Sequence, residues 1–159
     1  MARILLALVL SVLIIVLDQW TKALIVNSFQ LYESREILSW FNLVHVRNFG
    51  AAFSFLSSEG GWQRWFFTVL TSVISVVLVV WIVRLPAAEK LQRIAFTLVL
   101  GGAIGNLIDR VRLGYVVDFI DWHVAEHHWP AFNIADSAIC IGVGLLFVQM
   151  FFMSKTKAP

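Results

Sequence analysis

Four stretches of the chain, at 4–25, 66–83, 94–108 and 134–153, are almost unbroken runs of apolar residues, and polar residues collect between them. A helix needs roughly 20 residues, within a range of about 17–25, to cross the hydrocarbon of a bilayer. The third run is short, but residues 90–93 and 109–110 at its ends bring it into range. The pattern predicts an all-α membrane protein of four transmembrane helices, at about 4–26, 64–83, 91–109 and 134–153. They form a single domain over 1–159 with no soluble module. The first run, preceded by Arg3, imitates a secretory leader. No small-residue cleavage site follows it, so it is expected to persist as an uncleaved span.

The segments between the runs carry shorter signals. In Leu43-Val44-His45-Val46-Arg47, Val44 and Val46 alternate with His45 and Arg47, the period of a half-buried strand. Asn48-Phe49-Gly50 offers a turn, and residues 51–56 could return as a second strand. A small β-cradle over about 30–60 is expected; an irregular loop anchored by aromatics is the competing reading. Open sheet edges cannot lie in hydrocarbon, so such a cradle must rest at the interface. In the outer loop at about 110–133, Trp122 and Trp129 are seven apart and Pro130 follows, which predicts a short interfacial helix. Gly101, Gly102 and Gly105 on the third helix, and Ser137, Ala138, Gly142 and Gly144 on the fourth, would let these two helices approach closely.

Composition agrees with a membrane protein. Hydrophobic residues make up 60% of the chain and the mean hydropathy is +0.83, against about 45–50% apolar residues in soluble domains. Charge fixes an expected orientation. Arg3, Arg84, Lys90, Arg93, Lys155 and Lys157 crowd the short flanks on one side, and only Arg35, Arg47, Arg64, Arg110 and Arg112 occupy the much longer segments on the other. By the positive-inside rule both termini are cytoplasmic and the long segments face outward. Topology accounts for the basic residues, so the net charge of +2 calls for no nucleic-acid partner. Cys140, the only cysteine, lies within an apolar run and reads as a small packing residue.

The chemistry concentrates at the outer ends of the third and fourth helices. Ionisable residues in or beside membrane spans are functional suspects by default. Asp109 closes the third helix, where the dipole disfavours a carboxylate, with Arg110 and Arg112 at hand to pair with it. Asp118 sits among Val116, Val117, Phe119 and Ile120, a setting that desolvates it. Asp136 lies in the first turn of the fourth helix, where backbone N–H groups favour an anion. Two carboxylates in such different settings can share one proton and hold a water between them. Asp18 and Lys22 stand four apart in the favourable order for a helical ion pair. Their expected role is to anchor the outer sheet, with substrate contact as the second reading. His123-Val124-Ala125-Glu126-His127 matches a zinc-peptidase pattern, but Pro130 cuts its helix short and no later glutamate supplies a third ligand. On these residues alone, an aspartic peptidase competes with a small proton-coupled transporter and with a non-catalytic adaptor. Transporters place their ionisable groups near the midplane, whereas these acids gather at one edge.

Five blocks then carry a resemblance: Asp18-Gln19-Trp20-Thr21-Lys22, Asn48-Phe49-Gly50-Ala51-Ala52-Phe53-Ser54, Gly105-Asn106-Leu107-Ile108-Asp109-Arg110, Val117-Asp118-Phe119 and Phe132-Asn133-Ile134-Ala135-Asp136. In this order on four spans, they closely resemble the bacterial lipoprotein signal peptidases, essentially from end to end. The resemblance implies a membrane aspartic endopeptidase with four helices and an outer β-cradle. Asp118 and Asp136 would be its catalytic dyad. Asn48, Asn106, Arg110 and Asn133 would surround it, with Asp109 supporting. The implied substrate is a prolipoprotein whose cysteine already carries diacylglycerol, cut on the N-terminal side of that cysteine. No metal or organic cofactor is implied, and a working monomer in the bacterial inner membrane is the expectation.

Overall fold

The computed structural model describes residues 2–50 and 61–153. The first apolar run forms α1 (Ala2–Ser28), which ends at a two-stranded ribbon, β1 (Ser34–Leu38) and β2 (Phe41–Asn48). Two helices follow, α2 (Trp62–Arg84) and α3 (Lys90–Arg112), then β3 (Val116–Val124), a short β4 (His127–His128) and α4 (Ile134–Val148). A π-helical turn over Gln149–Met153 continues α4. All four helical segments are long and apolar enough to cross a membrane. Their outward faces, with Leu5, Val12, Leu13, Val69, Val76 and Ile141 exposed, suit acyl chains.

The central helix is α3. Of its most apolar window 61% is buried, against 22% for α1 and 17% for both α2 and α4. A stripe of small residues makes that position possible. A Cβ on Gly102 would run into the carbonyl oxygen of Ala135, and one on Gly105 would lie 2.7 Å from Asp18 Oδ2. From the α4 side, Gly142 lies against the Ala95 carbonyl, where a Cβ would sit 2.7 Å from the oxygen. Gly144 has nothing within 4 Å and takes no part. The α3–α4 approach predicted from the small residues is therefore real, but it runs through Gly102, Gly105 and Gly142.

The sheet is antiparallel, in the order β1-β2-β3-β4. Its main pairing, β2 with β3, joins segments on either side of two membrane helices: Asn48 opposes Val116, Val46 opposes Asp118 and Asn42 opposes Asp121. A bulge between Leu43 and Val46 shifts the register. The strand predicted over residues 43–47 lies within β2. Residues 51–56, expected to return as its partner, fall outside the described residues; among the described residues β2 pairs with β1 and β3. The interfacial helix expected around Trp122 and Trp129 is corrected. These residues face each other across the β3–β4 hairpin, and the Trp129 N–H donates to the Trp122 carbonyl at 2.7 Å. Ala125, with φ at 49°, makes the tight turn between the strands. The physical reason is the β-branched and aromatic run from Val116 to Val124, which finds the open edge of β2 and extends along it.

Two clusters close the core. Ala7, Leu78, Ile82, Phe96 and Leu100 fill the end nearest the start of α1. At the opposite end Ile25, Val117 and Phe119 join the helices to the sheet.

Candidate active site

The sharp junction between α3 and β3 sets the site. Gly114, at φ 87°, stops α3 in the left-handed conformation that costs glycine least. The Leu113 N–H donates to Asp109 O at 2.7 Å and the Gly114 N–H to Arg110 O at 3.2 Å. Arg64 of α2 covers the last carbonyls of α3, donating to Arg110 O at 3.0 Å and Val111 O at 2.8 Å. The chain therefore turns at once into β3, and the Val117 N–H donates to Asp109 Oδ2 at 3.1 Å. One residue on, Asp118 points into the interior with 2% of its surface exposed.

Asn133 ties Asp118 to Asp136. As the N-cap of α4 it accepts from the Asp136 N–H at 2.9 Å, and its own N–H donates to Asp136 Oδ2 at 3.3 Å. This reciprocal capping box satisfies two of the orphan donors at the helix start. The Asn133 amide also donates to Asp118 Oδ1 at 2.7 Å. Each carboxylate has a second amide donor: Asn48 Nδ2 to Asp118 Oδ2 at 2.9 Å and Asn106 Nδ2 to Asp136 Oδ1 at 2.7 Å. Strand β2, helix α3, strand β3 and the start of α4 each contribute one side of this network. Burial, and next the charge on Asp136, push the Asp118 carboxyl up to about 7.

Below lies an ionic cluster that the sequence shows only as separate residues. Lys22 Nζ meets Asp18 Oδ2 at 2.8 Å, Asp109 Oδ2 at 3.0 Å and Asn106 Oδ1 at 2.9 Å. These contacts use all three ammonium hydrogens. Asp18 also accepts from the Ala135 N–H at 3.0 Å, so α1 holds the start of α4 directly. Asp109 does not pair with Arg110 or Arg112 as expected. Arg110 turns toward the Gly50 carbonyl, 2.8 Å away, and the ring of Phe67, while Arg112 is exposed. Lys22, reaching across from α1, is the buried cation that meets this carboxylate.

Asp18 and Lys22 therefore reach the carboxylates through Asn106 and Ala135, and Lys22 also reaches the sheet through Asp109 Oδ2, which accepts from the Val117 N–H. Gln19 completes the cluster, its amide donating to Asp109 Oδ1 at 2.8 Å and Gly105 O at 3.1 Å. A polar amide next to Asp18 in a membrane helix was the signal for it. A separate polar group lies toward the hairpin, where Asn42 Nδ2 donates to buried Asp121 at 2.8 Å and His128 Nδ1 lies 2.9 Å from the same carboxylate. His123, part of the zinc-like motif, is on a strand and stacks on His128 at 4.8 Å, so the helical spacing that motif requires is absent. Among the described residues, no three His, Cys, Asp or Glu side chains converge as a metal site.

Chemically, the arrangement offers two carboxylates of unequal burial, each oriented by amide donors, where a helix N-terminus meets a sheet. Oriented carboxylates of this kind are suited to general acid–base chemistry.

A family model described as signal peptidase (SPase) II matches residues 10–152. The chain is similar to the lipoprotein signal peptidase of Alteromonas mediterranea, 51% identical over 142 residues that cover 89% of this chain and 78% of that one. It is 50% identical to the lipoprotein signal peptidase of Photorhabdus laumondii over 148 residues, covering 93% and 89% of the two chains. Among solved structures it resembles a bacterial membrane enzyme determined by the in meso method at 2.3 Å resolution. That likeness has a TM-score of 0.86 and 33% identity, with 96% and 91% of the chains covered. A second such enzyme, solved at 1.9 Å, gives a TM-score of 0.80 at 34% identity over 92% of both chains.

Proposed function

This chain belongs to the signal peptidase II family, and from that premise we propose that it removes signal peptides from prolipoproteins as an aspartic endopeptidase. Asp118 and Asp136 are its catalytic pair, and the cut falls on the N-terminal side of a cysteine carrying diacylglycerol. The observation that carries this reading is Asn133. Its side-chain amide donates to Asp118 Oδ1 and its backbone N–H donates to Asp136 Oδ2, so one residue holds both carboxylates.

Asp118, the more buried acid, holds the resting proton, and Asp136 is the anionic base. Acyl chains of the substrate anchor it in the bilayer and set the depth of its scissile bond, which supplies orientation before chemistry. Asp136 takes a proton from the trapped water as the water oxygen bonds to the carbonyl carbon. Asp118 gives its proton to the carbonyl oxygen, so a neutral tetrahedral diol forms. Asp136 then passes its proton to the cysteine nitrogen as the C–N bond breaks, and Asp118 recovers a proton from a diol hydroxyl. The products are a signal-peptide carboxylic acid and a free amine, and the pair again holds one proton. Asn48, Asn106 and Asn133 keep the carboxylates in place, and Arg110 contributes positive charge nearby.

The basic residues Arg3, Arg84, Lys90 and Arg93 lie at the end of the bundle away from the sheet, which supports cytoplasmic termini and an extracytoplasmic site. The test is a gel-shift assay with purified protein and a diacylglyceryl prolipoprotein. Asp118→Asn and Asp136→Asn should each abolish cleavage while remaining folded, and a chelator should leave the wild type active. Full turnover by Asp136→Asn would end the assignment of the pair.

A further inference from the structure

Arg93 is 6% exposed, in the first turn of α3. Its Nη2 donates to the Leu85 and Pro86 carbonyls at 2.9 and 2.8 Å. Its Nε is buried with no hydrogen-bond partner among the described residues. No carboxylate among those residues pairs with it; Glu89, the acid nearest in sequence, accepts from Gln149 at 3.0 Å. Carbonyls satisfy hydrogen bonds but do not neutralise a charge, and buried charges are ordinarily paired.

A cavity adjoins this side chain. Arg93 lines a cavity of about 690 Å³ between the first halves of α1 and α3. Leu6, Leu10, Leu13 and Ile94 form its apolar wall, and Arg3 and Lys90 join Arg93 as its charged lining. That volume falls within the roughly 300–1,000 Å³ typical of ligand sites. The groove lies among membrane-spanning segments, at the end carrying the basic flanks, far from Asp118 and Asp136. Basic pockets between helices on the cytoplasmic side take anionic headgroups.

We propose that the α1–α3 groove binds one anionic glycerophospholipid of the cytoplasmic leaflet, its phosphate held by Arg3, Lys90 and Arg93 and an acyl chain along Leu6, Leu10 and Leu13. The ligand needs both parts: a soluble phosphate could answer the charge but would leave the apolar wall unfilled. A signal-peptide helix could cover the wall but would bring no anion to Arg93.

Native mass spectrometry of the detergent-purified protein tests this, with phosphatidylglycerol and phosphatidylcholine of identical chains. One phosphatidylglycerol should remain bound in clear preference to phosphatidylcholine. The double variant Arg3→Gln/Lys90→Gln should lose that preference by about thirtyfold, from about 1 kcal/mol for each basic residue. Leu10→Trp, which fills the groove and keeps every charge, should weaken retention of phosphatidylglycerol as well. Both variants lie outside the peptidase site and should cleave prolipoprotein normally. Equal retention of the two lipids, or retention unaffected by both variants, would overturn the proposal. So would displacement of the lipid by inorganic phosphate alone, which would mark a simple anion hole. A raised KM for prolipoprotein in Leu10→Trp would assign the groove to the substrate's signal peptide and also overturn it.

Discussion

Replacing Lys22 with methionine tests how the two halves of the site depend on each other. Lys22 is 3% exposed, Asp18 0% and Asp109 3%, so water cannot take over the role of the lost ammonium. The substitution keeps the length of the side chain but leaves two buried carboxylates facing each other without a cation. Removing one partner of a buried ion pair costs about 3–5 kcal/mol. In a chain of this size, each kcal/mol moves the Tm by about 2–4 °C, so a fall of about 6–20 °C is expected in detergent. Activity should fall as well. Lys22 occupies Asn106 Oδ1, which keeps the Asn106 amide nitrogen turned toward Asp136. Without that ammonium, Asn106 Oδ1 keeps only the longer bond from the Asn133 amide, at 3.2 Å, so the amide is held less firmly and kcat should drop more than KM rises. The companion variant Lys22→Met/Asp109→Asn removes one stranded charge and should regain roughly half of the lost stability, a coupling of about 1–3 kcal/mol in a double-mutant cycle. Thermal unfolding and gel-shift kinetics on the same preparations give both readouts. A loss below about 1 kcal/mol, the scale of a solvated surface pair, or strict additivity in the cycle, would refute the view that this cluster supports the site.

Other outcomes follow from the same contacts. Gly102→Ala drives a methyl into the Ala135 carbonyl and brings it 2.8 Å from Ile139; overpacking of this kind costs about 1–3 kcal/mol and should lower activity too, because Asp136 is the next residue. Gly144→Ala, with nothing near it, should be neutral or slightly stabilising in the same melts. Asn133→Ala removes the N-cap, worth about 0.5–2 kcal/mol, together with the donor to Asp118, and should cut kcat/KM by about a hundredfold, the scale of misplaced acid–base groups; an unchanged kcat/KM would make Asn133 only a cap. Burial and the charge on Asp136 raise the Asp118 carboxyl to about 7, so the shared proton is present below that pH and lost above it, and a profile of kcat/KM should fall on its alkaline side from about pH 7. The same shift sets a stability trend. Between about pH 4 and pH 7 the unfolded chain releases this proton while the folded protein keeps it, so stability declines as pH rises through that window. Asp118→Asn should lack that decline in pH-dependent melts.

The helices and the site were not equally legible. Membrane spans announce themselves because each satisfies its backbone internally and needs only length and apolarity, both local properties. Val116 to Val124 misled at its far end because Trp122 and Trp129 fit a helical spacing as well as a hairpin. Only the open edge of β2, on the far side of two helices in sequence, decided for the strand. Asp118 and Asp136 stood out as carboxylates beside apolar runs, and Asn48, Asn106 and Asn133 entered through the family resemblance; apart from the Asn133–Asp136 cap, the contacts that make them one network cross gaps of 15 to 70 residues. Asp109 was matched with its sequence neighbours, whereas its cation arrives from α1.

What the chain determines by itself, then, is four spans and the small residues that let α3 and α4 touch. Which acid meets which cation, and which amide faces which carboxylate, is settled only when α1, α3, α4 and the sheet close on one another. Burial removes water as an alternative partner, and each buried charge or donor must then find the one complementary group within about 3 Å.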